Sequence, residues 1–179
     1  VGATAVGVAS ASKHEKLRER GFTQLVDARS ANLDEELKKL SREQGFDVIF
    51  DSRGGESWAH GLDLLDPFGK LIAFGFSSCL DEIATGKPVF SNEGTGLWYS
   101  ADLFRLAQAN ISVSGFNLAT FWKRSFSELR VWMEEILRFY REGKLNITVD
   151  KEFSFHEAAL AHQYIEDRKN FGKVILTHP

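Results

Sequence analysis

Val1–Lys13 reads VGATAVGVASASK, and its two halves ask for different structures. Ala3 to Ala9 is a short apolar run with Val6 and Val8, the pattern of a strand covered on both faces. Ser10-Ala11-Ser12-Lys13 is polar, and Ser12 stands three residues before Glu15, the spacing of a capping box at a helix start. A strand that exits through a short polar turn into a helix is a repeating unit of parallel α/β sheets.

The same alternation continues outward. A helix through Leu17 stops near Gly21, and Thr23 to Val26 is the next strand. Asn32 and Glu35 repeat the cap spacing ahead of Leu33, Leu37 and Leu40, an apolar stripe on a helix that ends near Gly45. Phe46–Asp51, FDVIFD, is a strand, and Gly54-Gly55 a turn. Trp58, Leu62 and Leu65 give a helix its buried face up to Pro67. Lys70 to Phe74 is a strand. Residues 77–96 are irregular, punctuated by Gly86, Pro88, Gly94 and Gly96, and loops of that length in compact domains are often functional. A helical pattern covers Leu97 to Ala109. Ile111–Phe116, ISVSGF, alternates as an edge strand does. Ser125 and Glu128 open the strongest helix, with Leu129, Trp132, Met133, Ile136, Leu137 and Tyr140 at helical spacing up to Gly143. Phe153 and Phe155 mark a strand, Ser154 and Glu157 cap a helix through Tyr164 and Ile165, and GKVILT at Gly172–Thr177 closes the chain as a strand. The reading is a single α/β domain with a doubly wound, mostly parallel sheet.

Composition narrows the function classes. The 179 residues carry a net charge of −3, with 43% hydrophobic and 26% charged residues, ordinary for a globular domain. There is no polybasic run, so nucleic acid is not the expected partner. No apolar stretch approaches the ~20 residues of a transmembrane helix, and no signal peptide is visible. The one cysteine, Cys79, rules out an internal disulfide and suits a reducing, cytoplasmic setting. It reads as an incidental free thiol. The five histidines include no pair at the i, i+4 spacing of a helical metal site, so no zinc site is expected. No G-x-S-x-G elbow supports a hydrolase triad. The absence of an initiator Met and the strand entry at residue 1 suggest part of a larger protein.

In open parallel sheets, ligands bind outside the carboxyl ends of the strands. That rule selects Ser10 to Lys13, Asp27 to Ser30, Asp51 to Gly55, Phe74 to Ser78, and Gly115 to Leu118. A dinucleotide site that prefers NAD carries an acid at the end of the second strand, for the ribose hydroxyls. Here that end holds Ser10, Ser12 and Lys13: two hydroxyls and an ammonium. That chemistry favours the 2′-phosphate of NADP, and Arg29 could add a second positive charge. Alternatively, Ser12 only caps the helix and Lys13 is solvated. Gly54 and Gly55 either let the backbone approach a ligand or form a tight turn. Phe74, Gly75 and Phe76 either line a nicotinamide or, in the case of Phe74, pack into the core.

Four runs then carry a resemblance: ATAVGVASASKHEKLRERGF, FDVIFDSRGGESW, LLDPFGKLIAFGFSS and RKNFGKVILT. In this order they resemble the cofactor-binding, Rossmann-like domain of zinc-independent medium-chain dehydrogenase/reductases. SASKHE and SGFNL are similar in particular to the quinone oxidoreductase-like branch that includes the synaptic vesicle membrane protein (vesicle amine transport) group. The resemblance implies NADPH-dependent reduction of quinones or α,β-unsaturated carbonyls by hydride transfer. It implies that Lys13, with Ser10 and Ser12, contacts the 2′-phosphate. Phe74, Gly75 and Phe76 would line the nicotinamide side, and Gly115, Phe116 and Asn117 would approach the ring. Asn170 would lie near the central phosphates or ribose. Relatives often carry a tyrosine of an I-N-Y run near the adenosine phosphate. This chain has Val26-Asp27-Ala28 there, which leaves Arg29 as the candidate substitute. No catalytic residue is assignable.

The resemblance also implies that the family's first strand, its glycine-rich pyrophosphate loop and a substrate domain precede Val1. In the strand order 3-2-1-4-5-6 the first strand is central, so its absence would interrupt the sheet between the first and third strands of this chain. Unpaired buried backbone costs about 1–3 kcal/mol per group, so an isolated fragment is expected to be destabilised or remodelled, and catalytically inactive. In this family the edge at Ile111–Phe116 commonly pairs with a second subunit, so a homodimer is expected. Two other functions are weighed: a non-catalytic interaction module that keeps the fold, and an S-adenosylmethionine-dependent methyltransferase, which FDVIFD suits and SASK does not.

Overall fold

The computed structural model describes residues 2–41, 44–77 and 102–178. The chain divides into two compact units, Val1–Leu118 and Ala119–Pro179.

The first unit alternates strand and helix. It contains β1 (Val6–Ala9), a 3-10 turn (Ala11–Lys13), α1 (His14–Glu19), β2 (Gln24–Asp27), α2 (Leu33–Leu40), β3 (Phe46–Asp51), α3 (Glu56–Asp63), β4 (Leu65–Ala73), α4 (Leu103–Ala109) and β5 (Ser112–Gly115). Every strand pair is parallel. β1 pairs with β2 from Val6↔Gln24 to Ala9↔Asp27. β4 is central between β3 and β5, with Asp51↔Ala73 and Ala73↔Gly115 in one row at their carboxyl ends. Among the described residues β1–β2 and β3–β4–β5 are separate sheets. That is the interruption expected between the first and third strands.

The core of this unit forms where α3 lies on the three-stranded sheet. Leu71 is 1% exposed, with Leu62 and Leu64 also buried; Val26, 2% exposed, belongs to β2 of the other sheet. A Cβ on Gly61 would stand 3.1 Å from Leu71 Cδ1, so the glycine lets α3 approach β4 closely. The opposite face of the sheet carries Phe50, 70% exposed, and Val48.

Local signals were followed unevenly. The helix expected to run to Pro67 stops at Asp63, and Pro67 lies within β4. Tertiary pairing explains this: Phe46 N donates to Leu64 O at 2.8 Å, and Phe46 pairs with Leu65, so the chain is drawn onto β3 as soon as the helix ends. Phe68, with φ 69°, and a register shift after Phe46 accommodate the early join. The spacings Ser12/Glu15, Asn32/Glu35 and Ser125/Glu128 form no side-chain cap. Instead, Ser30 Oγ donates to Glu36 and accepts from Asn32 N at 3.1 Å. Cys79, most of the irregular 77–96 stretch and the first helical residues from Leu97 lie outside the described residues. α4 is described from Leu103, with Asp102 accepting from Phe104 N at 2.9 Å.

In the second unit, α5 (Leu118–Arg124), which begins at the boundary, leads to α6 (Phe126–Arg141), β6 (Val149–Ser154), a 3-10 turn (Phe155–Glu157), α7 (Ala158–Glu166) and β7 (Lys173–Thr177). α5 was not anticipated. β6 and β7 pair in parallel, ending at Ser154↔Thr177. Leu129, Phe153 and Ala161 are buried, and Phe121 stacks on Trp132 with ring centroids 4.5 Å apart.

Candidate functional site

The exits of β1 and β2 form one small frame. β1 ends at Ala9, opposite Asp27 of β2. Ala28 N donates to Ala9 O at 3.0 Å, and Lys13 N donates to Ser10 O at 2.8 Å, closing the turn that carries both serines. Ser10 Oγ and Ser12 Oγ lie 3.4 Å apart. The His14 ring donates from Nε2 to Ala9 O at 2.9 Å, which fixes the start of α1 against the strand end. Asp27 Oδ1 accepts from Ala11 N at 3.3 Å and from Arg29 N at 3.1 Å. The turn that carries Ser10, Ser12 and Lys13 thus meets the Arg29 main chain on one carboxylate, through the Ala11 amide. Asp27 opens the Asp27 to Ser30 stretch selected as a strand exit, but no role was assigned to it. Its signal was available, because an aspartate at a strand end accepts readily from the amide two residues on. The contact to Ala11, sixteen residues away, was not readable.

The exits of β3, β4 and β5 form a second frame. Asp51 is 9% exposed, and its Oδ1 accepts from Arg53 N at 2.7 Å and from Gly54 N at 2.9 Å. The turn it holds packs on the chain after β4. Phe74 N donates to Asp51 O at 2.9 Å, and Ser77 N donates to Ser52 O at 3.1 Å. A Cβ on Gly54, where φ is +79°, would stand 2.9 Å from Phe76 Cα, and one on Gly75 would stand 2.7 Å from Ser52 O. These glycines admit neighbouring backbone, which answers the choice left open for Gly54. Gly115 differs, since a Cβ there would meet nothing within 4 Å. Phe116 N donates to Ala73 O at 2.9 Å, extending the β4–β5 ladder.

An open, mainly apolar recess of about 420 Å³ lies here, lined by Phe50, Ile72, Phe74, Ser114, Gly115 and Phe116. Phe74 is 49% exposed and Phe116 43% exposed, so Phe74 is a recess wall and not a core residue. Phe76 and Asn117 adjoin these walls in sequence. Asn170 belongs to the second unit, where Nδ2 donates to Gly172 O at 3.1 Å just ahead of β7.

Among the described residues, no group of three or more His, Cys, Asp or Glu gathers to hold a metal ion. No described helix is long and apolar enough to cross a membrane. The displaced pKa values of the second unit have structural causes. The Asp150 carboxylate accepts from the Tyr164 hydroxyl at 2.9 Å and raises the phenol. Lys169, then Gln163, lowers Asp167.

The family profile described as zinc-binding dehydrogenase matches residues 20–176. The chain belongs to that family. Its relatives place it in the zinc-independent, quinone oxidoreductase-like branch of the medium-chain dehydrogenase/reductases. It is 35% identical over 178 residues to a synaptic vesicle membrane protein VAT-1 homolog of Danio rerio, covering 97% of this chain and 35% of that protein. The Homo sapiens VAT-1 homolog is 32% identical over 176 residues, covering 97% of this chain and 43% of that protein. The chain therefore spans well under half the length of these curated relatives. A crystal structure of the human VAT-1 homolog-like protein superposes with TM-score 0.69 at 26% identity, covering 97% of this chain and 44% of the other. CurK enoyl reductase superposes with TM-score 0.75 at 24% identity, covering 99% and 48%, and shares the fold. The Rossmann-like α/β class of the dehydrogenase cofactor domain is thereby established.

Proposed function

We propose that this chain is the cofactor-binding part of an NADPH-dependent reductase of quinones or α,β-unsaturated carbonyls, with both units belonging to one cofactor domain. The observation that carries the reading is the exit of β1. Where a diol-binding acid would stand in an NAD site, the chain has Ser10, Ser12 and Lys13. Asp27, at the exit of the next strand, has its Oδ1 turned to two amides. The donor set left is two hydroxyls and an ammonium, which fits a phosphate better than a diol. Structural neighbours, among them a Pseudomonas syringae quinone oxidoreductase and CurK enoyl reductase, support the reaction class.

NADPH would supply the hydride, and the protein supplies binding and orientation. Lys13, Ser10 and Ser12 bind the 2′-phosphate, with Arg29 adding charge. Phe74, Gly75 and Phe76 form the side wall of the nicotinamide site, and Gly115, Phe116 and Asn117 its floor. The apolar recess lies at that end. Asn170 serves the central phosphates or ribose. The same edge of β5 pairs two copies in a homodimer.

Titration of the full-length protein with NADPH and NADH tests the reading. NADPH is expected to bind more tightly, and Lys13→Ala to weaken NADPH by roughly tenfold to a hundredfold, as for one charge-assisted contact, with NADH affected far less. Binding of neither nucleotide would overturn the reading in favour of an interaction module, and binding of S-adenosylmethionine in favour of a methyltransferase.

A further inference from the structure

We propose that Asp27 is a positioning residue for the phosphate end of the cofactor site, a role that rests on the NADPH reading above. One carboxylate oxygen takes an amide from each of the two strand exits: Ala11 N, between the two serines, and Arg29 N. The Arg29 contact is local, two residues along the chain. The Ala11 contact is not, and it ties the turn carrying Ser10, Ser12 and Lys13 to the end of the neighbouring strand.

This contact is not needed to satisfy a buried donor. Ala11 is exposed, as is Arg29, so water can replace the carboxylate at either amide. Removing the carboxylate therefore costs the fold little: the ends of the turn stay held by Lys13 N on Ser10 O and by Ala28 N and His14 Nε2 on Ala9 O, while Ala11, between the serines, loses its tie to the neighbouring strand. What is lost is the fixed direction of the serine hydroxyls and the Lys13 stem. A phosphate bound by several donors at once depends on that direction, whereas a ligand without the phosphate does not. Asp27 thus acts through Lys13 and the serines, without touching the nucleotide itself. Its conservative variant Asp27→Asn keeps an oxygen acceptor in the same place.

The test compares Asp27→Ala, Asp27→Asn and Lys13→Ala in the full-length protein by NADPH and NADH titration, with thermal unfolding alongside. Asp27→Ala is expected to weaken NADPH about tenfold, to change NADH by less than about threefold, and to unfold at nearly the parent temperature. Asp27→Asn is expected to restore NADPH affinity to within about threefold of the parent. If Lys13→Ala discriminates against NADPH while Asp27→Ala does not, the positioning role is overturned and the NADPH reading stands. An equal loss for both nucleotides in Asp27→Ala, or an Asn variant as weak as the Ala variant, overturns it too. If Lys13→Ala binds NADPH as the parent does, the NADPH reading itself is wrong and the proposal falls with it.

Discussion

At the scale of residues, Asp27 and Asp51 have the same geometry and different consequences. Each sits at the end of a strand and takes two amides on one oxygen. Asp51 and Gly54 are buried, so removing the Asp51 carboxylate strands a donor away from water. Asp51→Ala is expected to destabilise the protein by about 1–3 kcal/mol in denaturant unfolding, and Asp51→Asn to recover most of it. Two glycines make a second contrast. In Gly75→Ala the new methyl meets the Ser52 carbonyl oxygen at 2.7 Å, so backbone must move, and a loss of about 1–3 kcal/mol is expected. Gly115→Ala meets nothing and is expected within about 0.5 kcal/mol of the parent. A changed nucleotide affinity in Gly115→Ala would then report on the site alone. The sequence marked Gly54, Gly75 and Gly115 alike, because a glycine shows that a side chain is missing and not what occupies its place.

At the scale of elements, the capping boxes show how far spacing reaches. Four Ser/Asn-x-x-Glu spacings occur, and among the described helices the full reciprocal box forms at Ser154–Glu157. There Glu157 accepts from Ser154 N at 3.0 Å and from Ser154 Oγ at 2.9 Å. The three others are legible as helix starts, and the helices are there, but no side-chain cap forms at them; Glu128 accepts from its neighbour Ser127 Oγ at 3.0 Å, and Ser12 Oγ lies by Ser10 Oγ. Pro67 did not end the helix, because pairing with β3 captured the chain first. The Glu157 box makes a pH prediction. The Ser154 amide and hydroxyl hold the Glu157 carboxyl below its ordinary value of 4.5. A carboxyl lowered in the folded state contributes stability above its unfolded value, and that contribution disappears as pH falls through the lowered one. Amide exchange over residues 155–158 is therefore expected to be slow above pH ~4.5 and to accelerate below it, relative to amides elsewhere in α7. Glu157→Gln is expected to flatten that difference. An unchanged profile in the Gln variant would remove Glu157 as its cause.

At the scale of the molecule, the parallel α/β class was legible because strand and helix periodicities alternate along the chain. The division into separate sheets matched the strand order that the resemblance implies. The second unit was not legible as such, because helix and strand patterns do not say which elements pack together. The edge at β5 carries the prediction for assembly. Phe116 N points to Ala73 of β4. Backbone groups alternate sides along a strand, so Ser112 and Ser114 also face β4, while Val113 and Gly115 turn their N–H and C=O to the other edge. A homodimer built there is two-fold symmetric, so the two β5 strands run antiparallel and exchange the hydrogen bonds of Val113 and Gly115. A proline is tolerated on an edge strand when its missing N–H faces outward. Val113→Pro is therefore expected to leave the β4–β5 ladder and the unfolding temperature nearly intact while shifting the full-length protein toward monomer in sedimentation. Ser114→Pro breaks the ladder itself and is expected to cost about 1–3 kcal/mol through the lost β4–β5 hydrogen bond. If both variants sediment as the parent does, the dimer is held by another surface. If Val113→Pro unfolds as readily as Ser114→Pro, the strand does not present Val113 to the edge away from β4.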